Sequence, residues 1–295
     1  MRIDNSRAKL WWECGLAYWE RYVQNIEPVG KWESVGFGTR THQLIECRHK
    51  QMQGVEVPEY PEARPEIEAE AQLTFAAYEA HYPEEEFEVV GVEEYFEVPI
   101  PGMPDCICGG EVVIGTKSPF VCMKCTRGFD PSGYHLYIGE FDAIVRMKDS
   151  GKLWLFETKT EKRGSKTNLP DSWQQKSQVG LYLWAAEQKY AEQFEGILLN
   201  IITRQSPKGQ ERPCFRRDSL VRTRGQQQEA VRNLVWIADQ IEGCDRTGFW
   251  PSNRNRCVGE WGWKCDYYPL HSTEERSEEL VQIKYQTAEE YLSGL

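Results

Sequence analysis

Tyr137-Ile-Gly-Glu-Phe-Asp142-Ala-Ile-Val-Arg146, then Lys148-Asp-Ser-Gly-Lys152, then Leu153-Trp-Leu-Phe-Glu157-Thr-Lys159-Thr160 is the stretch on which the fold turns. Its outer segments are strands by composition and the polar middle is a turn, so the run predicts a β-hairpin. A hairpin centred near Asp149 and Ser150 sets Asp142 opposite Glu157. Strand side chains alternate faces, which puts Glu157 and Lys159 on one side, and cross-strand Cβ atoms lie about 5 Å apart. Two carboxylates at that separation repel unless one is protonated or something positive lies between them. A divalent cation meets that need: Mg²⁺ takes one or two carboxylates and fills its shell with water and phosphate oxygens. A lysine on the same face can neutralise charge developing at phosphorus. Ordinary surface charge on an exposed hairpin is the competing reading, and the hairpin alone leaves both open.

The neighbourhood favours the first. Pro170 to Tyr190 carries Trp173, Leu181, Tyr182, Trp184 and Ala185 at helical spacing. Within it Gln178 and Tyr182 are one turn apart on one face, an amide and a phenol able to reach nucleic-acid backbone or orient the lysine. Upstream, Gly36-Phe-Gly-Thr-Arg-Thr-His42-Gln-Leu-Ile-Glu46 reads as a glycine-rich entry into a helix starting near Thr39. His42 and Glu46 share a face there, and a neutral imidazole is a metal ligand, although a lone His is more often a packing residue.

Taken together, Gly38-x-x-x-His42, Gly139-x-x-Asp142, Glu157-x-Lys159 and Gln178-x-x-x-Tyr182 resemble, in order and spacing, the RecB-type branch of the PD-(D/E)XK nuclease superfamily. That branch includes nuclease domains of recombination machines, phage exonuclease-like proteins and the nucleases of CRISPR adaptation. The resemblance implies that His42, Asp142 and Glu157 ligate Mg²⁺ or Mn²⁺, that Lys159 is catalytic, and that Gln178 and Tyr182 support the site or the DNA. Phe141 stands where the superfamily's name has a proline, and the RecB-type branch commonly has Gly-x-x-Asp there.

Ten cysteines are too few for a disulfide scaffold and are clustered. The opening residues lack an apolar signal core, and no apolar run approaches the roughly 20 residues of a membrane span. The expectation is a reducing cytoplasm, bacterial or phage-infected, where thiols at ligand spacing indicate metal. Cys106 and Cys108, followed by Cys122 and Cys125, read as two knuckles of a structural zinc ribbon inserted at residues 102–134, with four free thiols as the alternative. A four-thiolate zinc has no open position for catalysis.

A second group lies at the two ends of the chain. Cys14 sits in an aromatic helix from Ser6 to Tyr22, and Cys257, Cys265 and His271 lie in an aromatic segment within residues 244–271. The arrangement resembles the iron–sulfur staple of the same nuclease branch, with His271 where the family has its last cysteine. The resemblance implies a 4Fe-4S cluster, while three Cys and one His equally suit a second zinc. Cys244 is an alternative fourth ligand, and ordinary buried thiols remain open.

With 295 residues, 40% of them hydrophobic, the chain can bury a substantial core as one domain with an insertion. The net charge of −11 is local, because residues 56–97 hold fourteen carboxylates against Arg64 alone. Residues 204–224 are basic, with seven Arg and Lys against two acids, and together with Lys162, Arg163 and Lys166 could track a phosphate backbone. Helices are expected to residue 82, then a strand at Phe87–Pro99, the ribbon, the hairpin and the helix from Pro170. Strands near Gly196–Thr203 and Cys214–Val221, a helix from Gly225 to Glu242 and a final helix ending near Leu292 complete the order. Strands flanked by helices predict an α/β fold, a restriction-endonuclease-like mixed central sheet with a small zinc-ribbon insertion.

The function expected is that of a metal-dependent exonuclease acting on linear or single-stranded DNA in recombination, repair, replication or phage DNA processing. A helicase, recombinase or single-strand-binding protein is the expected kind of partner, with no membrane. The alternatives are a non-catalytic DNA-binding or scaffolding subunit that keeps the fold, and a zinc protein whose ribbon is the working part.

Overall fold

The structure, a computed structural model, describes residues 1–29, 36–61, 63–101, 112–113, 121–122, 135–162, 169–204, 214–258, 264–272 and 277–287. The chain forms two compact units, one of Met1–Arg2 and Ser34–Arg232, the other of Ile3–Glu33 and Asn233–Leu295.

From the N-terminus the elements are β1 (Arg2–Ile3), α1 (Asn5–Glu13), α2 (Gly15–Tyr18), a π-helical turn (Trp19–Val23) and β2 (Ile26–Pro28). Then come α3 (Phe37–Gln53), α4 (Pro65–His81), β3 (Phe87–Pro99), the short pair β4 (Val112–Val113) and β5 (Val121–Cys122), β6 (Leu136–Met147) and β7 (Leu153–Lys162). They are followed by α5 (Leu169–Gln174), α6 (Ser177–Tyr190), β8 (Phe194–Arg204), β9 (Cys214–Leu220) and α7 (Arg224–Thr247). A 3-10 turn (Arg254–Arg256), α8 (Tyr268–His271), α9 (Glu278–Lys284) and β10 (Tyr285–Thr287) close the chain.

The first unit is built on one sheet in the order β3-β6-β7-β8-β9, with β1 also paired to β6. β3–β6, β6–β7 and β8–β9 run antiparallel, while β7 and β8 are parallel and joined through α5 and α6. Parallel neighbours need such a crossover, whereas β6 and β7 need only a tight turn. That turn is at Lys148–Lys152, where Gly151 adopts φ 67°, a left-handed conformation that glycine takes without a Cβ clash. The hairpin has the expected register, with Ala143 opposite Phe156 and Arg146 opposite Leu153. The mixed central sheet flanked by helices is the fold class expected.

One face of the sheet carries Ala143, Val145, Phe156 and Ile202, packed against Ile45 of α3 and Tyr78 of α4. Helix α4 starts with Pro65 at its first turn followed by Glu66 and Glu68, residues that suit a helix N-terminus. Two motif glycines have steric reasons. A Cβ on Gly139 would lie 2.7 Å from the Phe96 ring, and one on Gly38 would lie 2.9 Å from Thr160 Oγ1.

The single helix expected from Pro170 is two helices. Lys176 between them is extended (ψ 136°), and Arg222 donates to the carbonyls of both Gln174 and Lys176. An inward-facing arginine that satisfies the end of α5 stabilises the break. Helix α9 ends at Lys284 and Tyr285–Thr287 pairs as a strand with Ile26–Pro28, while the end expected near Leu292 lies outside the described residues. Of the ribbon, the backbone pairs Val112 with Cys122 and Val113 with Val121. Cys106, Cys108 and Cys125 lie outside the described residues, as does the Cys122 side chain.

The second unit gathers Cys14, Ala17, Ile26, Tyr267, Leu270 and Tyr285 into one buried cluster. Phenols at its edge satisfy backbone groups: Tyr267 donates to the Ile26 carbonyl at 2.9 Å and Tyr285 to the Asp266 carbonyl at 2.8 Å. Among the described residues no helix is long and apolar enough to cross a membrane.

Candidate active site

Helix α3, its N-cap at Gly36, brings His42 to strands β6 and β7. His42 Nδ1 lies 3.5 Å from Asp142 Oδ2. Burial and then the Lys159 charge pull the imidazole down to about 4, against the opposing pull of Glu157. The ring is therefore neutral at neutral pH, and its contact with Asp142 is not an ion pair.

The β6–β7 ladder ends at Ala143 and Phe156, one residue short of the carboxylates. Continued by one step, its register would place Asp142 opposite Glu157. Asp142 Oδ2 instead accepts the Thr158 N–H at 2.7 Å. Lys159 Nζ lies 2.7 Å from Glu157 Oε1, so the acid and the lysine of the Glu-x-Lys pattern do share a side. Burial raises both carboxyls, and their mutual repulsion brings Glu157 to about 7. Burial pulls Lys159 down, but Glu157 and Asp142 outweigh it and hold the ammonium above its ordinary range. Trp173 lies under that ammonium, its ring centroid 5.1 Å from Lys159 Nζ and 4.1 Å from Lys176 Nζ.

Tyr182 packs its ring edge-on to Phe96 at 5.8 Å and Phe141 at 5.5 Å. Gln178, half-buried at the start of α6, makes no hydrogen bond to His42, Asp142, Glu157 or Lys159. In the basic stretch, where it is described, Arg217 is mostly buried and Arg216 and Arg224 are exposed. Arg217 is bound to Glu85 at 2.5 Å, Arg216 to Asp218 at 2.5 Å, and Arg224 to Glu187.

Three participants escaped the motif reading. Glu93, with φ 49°, is raised to about 8 by burial and then by Asp142, Glu46 and Glu140. Trp173 is the second. Asn200, fully buried, is the third, and it had a signal: a lone amide in the apolar run Gly196-Ile-Leu-Leu-Asn-Ile-Ile.

In the second unit, Cys14, Cys257 and Cys265 lie in one neighbourhood without converging as a ligand set. Cys14 Sγ accepts the Asn253 N–H at 3.4 Å, Cys265 Sγ accepts the Tyr267 N–H at 3.4 Å, and the Cys265 N–H donates to the Cys257 carbonyl at 2.9 Å. The Cys257 thiol is raised by burial and then by Cys14, and that of Cys265 by burial and the charges of Cys14 and Cys257. The buried His271 ring lies 3.6 Å from Glu20 Oε1 and stacks on Tyr267, and among the described residues neither ring nitrogen has a hydrogen-bond partner. Cys244 sits buried in α7 with Asp245 as its charged neighbour. Among the described residues no three His, Cys, Asp or Glu side chains converge as a closed ligand set.

With this geometry in view, comparison with known proteins assigns the fold. The family model for the PD-(D/E)XK nuclease superfamily matches residues 5–270. The chain belongs to that superfamily. A crystal structure named as a "Putative exonuclease" from Eubacterium rectale superposes with a TM-score of 0.51 at 12% identity, covering 96% of this chain and 92% of that one. At that identity the likeness is one of fold. No curated protein matches the chain.

Proposed function

We propose that this chain is a Mg²⁺- or Mn²⁺-dependent deoxyribonuclease, acting as an exonuclease on linear or single-stranded DNA in recombination, repair, replication or phage DNA processing. The observation that carries the reading is the meeting of His42, Asp142, Glu157 and Lys159 from three separate elements. His42, Asp142 and Glu157 are of the donor types a hard divalent cation takes, two carboxyls raised by burial, Glu157 also by Asp142, and an imidazole kept neutral, with no three such side chains among the described residues already converged as a ligand set. His42, Asp142 and Glu157 would hold the ion, which when bound supplies a Lewis acid and lowers the pKa of water.

The chain's own contribution is orientation and charge. Lys159, kept charged by its two acidic neighbours, offers N–H donors to a phosphate oxygen and opposes the negative charge that grows there. Tyr182 and Gln178 would support this layer or the DNA. The exonuclease choice rests on resemblance and on the name borne by the structural neighbour.

The proposal extends to two structural groups. Zinc is assigned to Cys106, Cys108, Cys122 and Cys125, and a 4Fe-4S cluster, or a second zinc, to Cys14, Cys257 and Cys265. For the latter the N–H donors on Cys14 and Cys265 suit thiolates, and His271, whose buried ring nitrogens carry no hydrogen bond among the described residues, is the expected fourth ligand.

End-labelled linear single- and double-stranded DNA, incubated with Mg²⁺ or Mn²⁺, tests the main claim. Wild type should degrade it, and Asp142→Ala and Lys159→Ala should each lower turnover by about 10³-fold or more while DNA binding by Lys159→Ala persists. A folded, metal-loaded wild type that leaves DNA intact would favour the non-catalytic subunit instead.

A further inference from the structure

A line of polar side chains crosses the apolar face of the first unit's sheet. Thr158 on β7, Asn200 on β8 and Arg217 on β9 are consecutive cross-strand partners, so they share a face and stand in one row. Tyr78 of α4 lies over the row. Thr158, Asn200 and Tyr78 are each at least 99% buried, among Phe87, Phe156 and Ile202.

The hydrogen bonds run in one direction. Arg217 donates to Tyr78 Oη at 2.6 Å, Tyr78 to Asn200 Oδ1 at 3.2 Å, and Asn200 Nδ2 to Thr158 Oγ1 at 3.3 Å. At the far end Arg217 is held by both oxygens of Glu85, at 2.5 and 3.0 Å, and Arg48 lies 3.0 Å from the same carboxylate. At the near end the Thr158 backbone N–H donates to Asp142 Oδ2 at 2.7 Å. Thr158 therefore sits between a fixed polar chain and a carboxylate of the candidate site, directly after Glu157.

Apolar side chains of the same shape could fill this layer without any burial of polar groups. A connected buried network, here with Arg217 Nε left unpaired, does something they cannot, which is to hold the Thr158 side chain, and through it the Thr158 backbone, in one orientation. We propose that Arg217, Tyr78, Asn200 and Thr158 form a positioning relay that holds the Glu157–Thr158 peptide with its N–H on Asp142, and so sets the two carboxyls for a divalent cation. The inference rests on the nuclease reading, and these are positioning residues, since none touches substrate.

The test uses the full chain with Mn²⁺ as probe, its binding measured by calorimetry without DNA and cleavage measured separately across a Mn²⁺ titration. Thr158→Val removes the acceptor at constant shape, Asn200→Leu removes both amide groups, and Thr158→Ser restores the hydroxyl. Thr158→Val and Asn200→Leu should each weaken Mn²⁺ binding by about tenfold or more. Both should recover cleavage at high Mn²⁺, and Thr158→Ser should behave as wild type. A purely structural defect would lower the active fraction at every metal concentration, and that result would overturn the relay. So would Mn²⁺ affinity unchanged in both variants while wild type binds and cleaves. A wild type that neither binds Mn²⁺ nor cleaves removes the nuclease reading itself, and the relay with it.

Discussion

At the scale of single residues, His49 shows how burial alone makes a protein acid-sensitive. Its ring is 99% buried and edge-on to Phe156 at 4.9 Å and Phe87 at 6.1 Å. Burial, and then the charges of Arg217 and Arg48, pull it down to about 3 from the ordinary 6.5. The unfolded chain takes up this proton first, so stability is full above about 6.5 and is lost as pH falls towards 3. The saturated slope is about 1.4 kcal/mol per pH unit. His49→Phe should therefore lose roughly 2 kcal/mol less than wild type between pH 7.5 and pH 5 in denaturant titrations. Equal losses would show that His49 is not the group responsible. Sequence reading met this residue scale unevenly. That His42, Asp142, Glu157 and Lys159 lie near one another was legible, because the motif pattern names fixed residue types at fixed spacing. Thr158 and Arg217 were not, because a threonine between two motif residues and an arginine in a basic run look like neighbours of something else. Glu93 was hidden in an acidic stretch, and only φ and the company of Asp142 single it out.

Elements were more legible than residues, and their mistakes have local causes. The hairpin register followed from turn composition, and β3 matched from Phe87 to Pro99 because its run is bounded by turn residues. The break between α5 and α6 escaped because periodicity continues through it, while the stop comes from Arg222, distant in sequence. The motif glycine on β6 has an element-scale cause that can be tested. Phe96 of β3 lies against Gly139 and stacks on Phe141 at 4.5 Å. Gly139→Ala would drive a methyl into that ring and should destabilise the protein by about 1–3 kcal/mol. Trimming the ring with Phe96→Leu in the same chain should recover part of that loss, measured by chemical denaturation. A Gly139→Ala variant as stable as wild type would mean that β3 yields freely, and the steric account of this glycine would fail.

For the whole molecule, order along the chain was readable and division into units was not. The second unit is made from both ends of the chain, Ile3–Glu33 and Asn233–Leu295, and neither local pattern nor composition reports which distant segments share a core. Only the cysteines pointed there, since ligands for one group can lie anywhere in sequence. If Cys14, Cys257 and Cys265 hold one metal group, its closure of so long a loop removes about 5 kcal/mol of chain entropy from the unfolded state. The second unit should then depend on that group while the first does not. Cys14→Ser should lose the metal of this site, read as iron and its visible absorbance or as zinc by elemental analysis, and keep the zinc proposed for residues 102–134. Limited proteolysis with mass spectrometry should find new cuts within residues 3–33 and 233–295 and continued protection of the β6–β7 hairpin. A Cys14→Ser protein with wild-type metal content and an unchanged cleavage map would mean that Cys14 is an ordinary buried thiol and that Ile26, Tyr267 and Tyr285 hold the second unit together without metal.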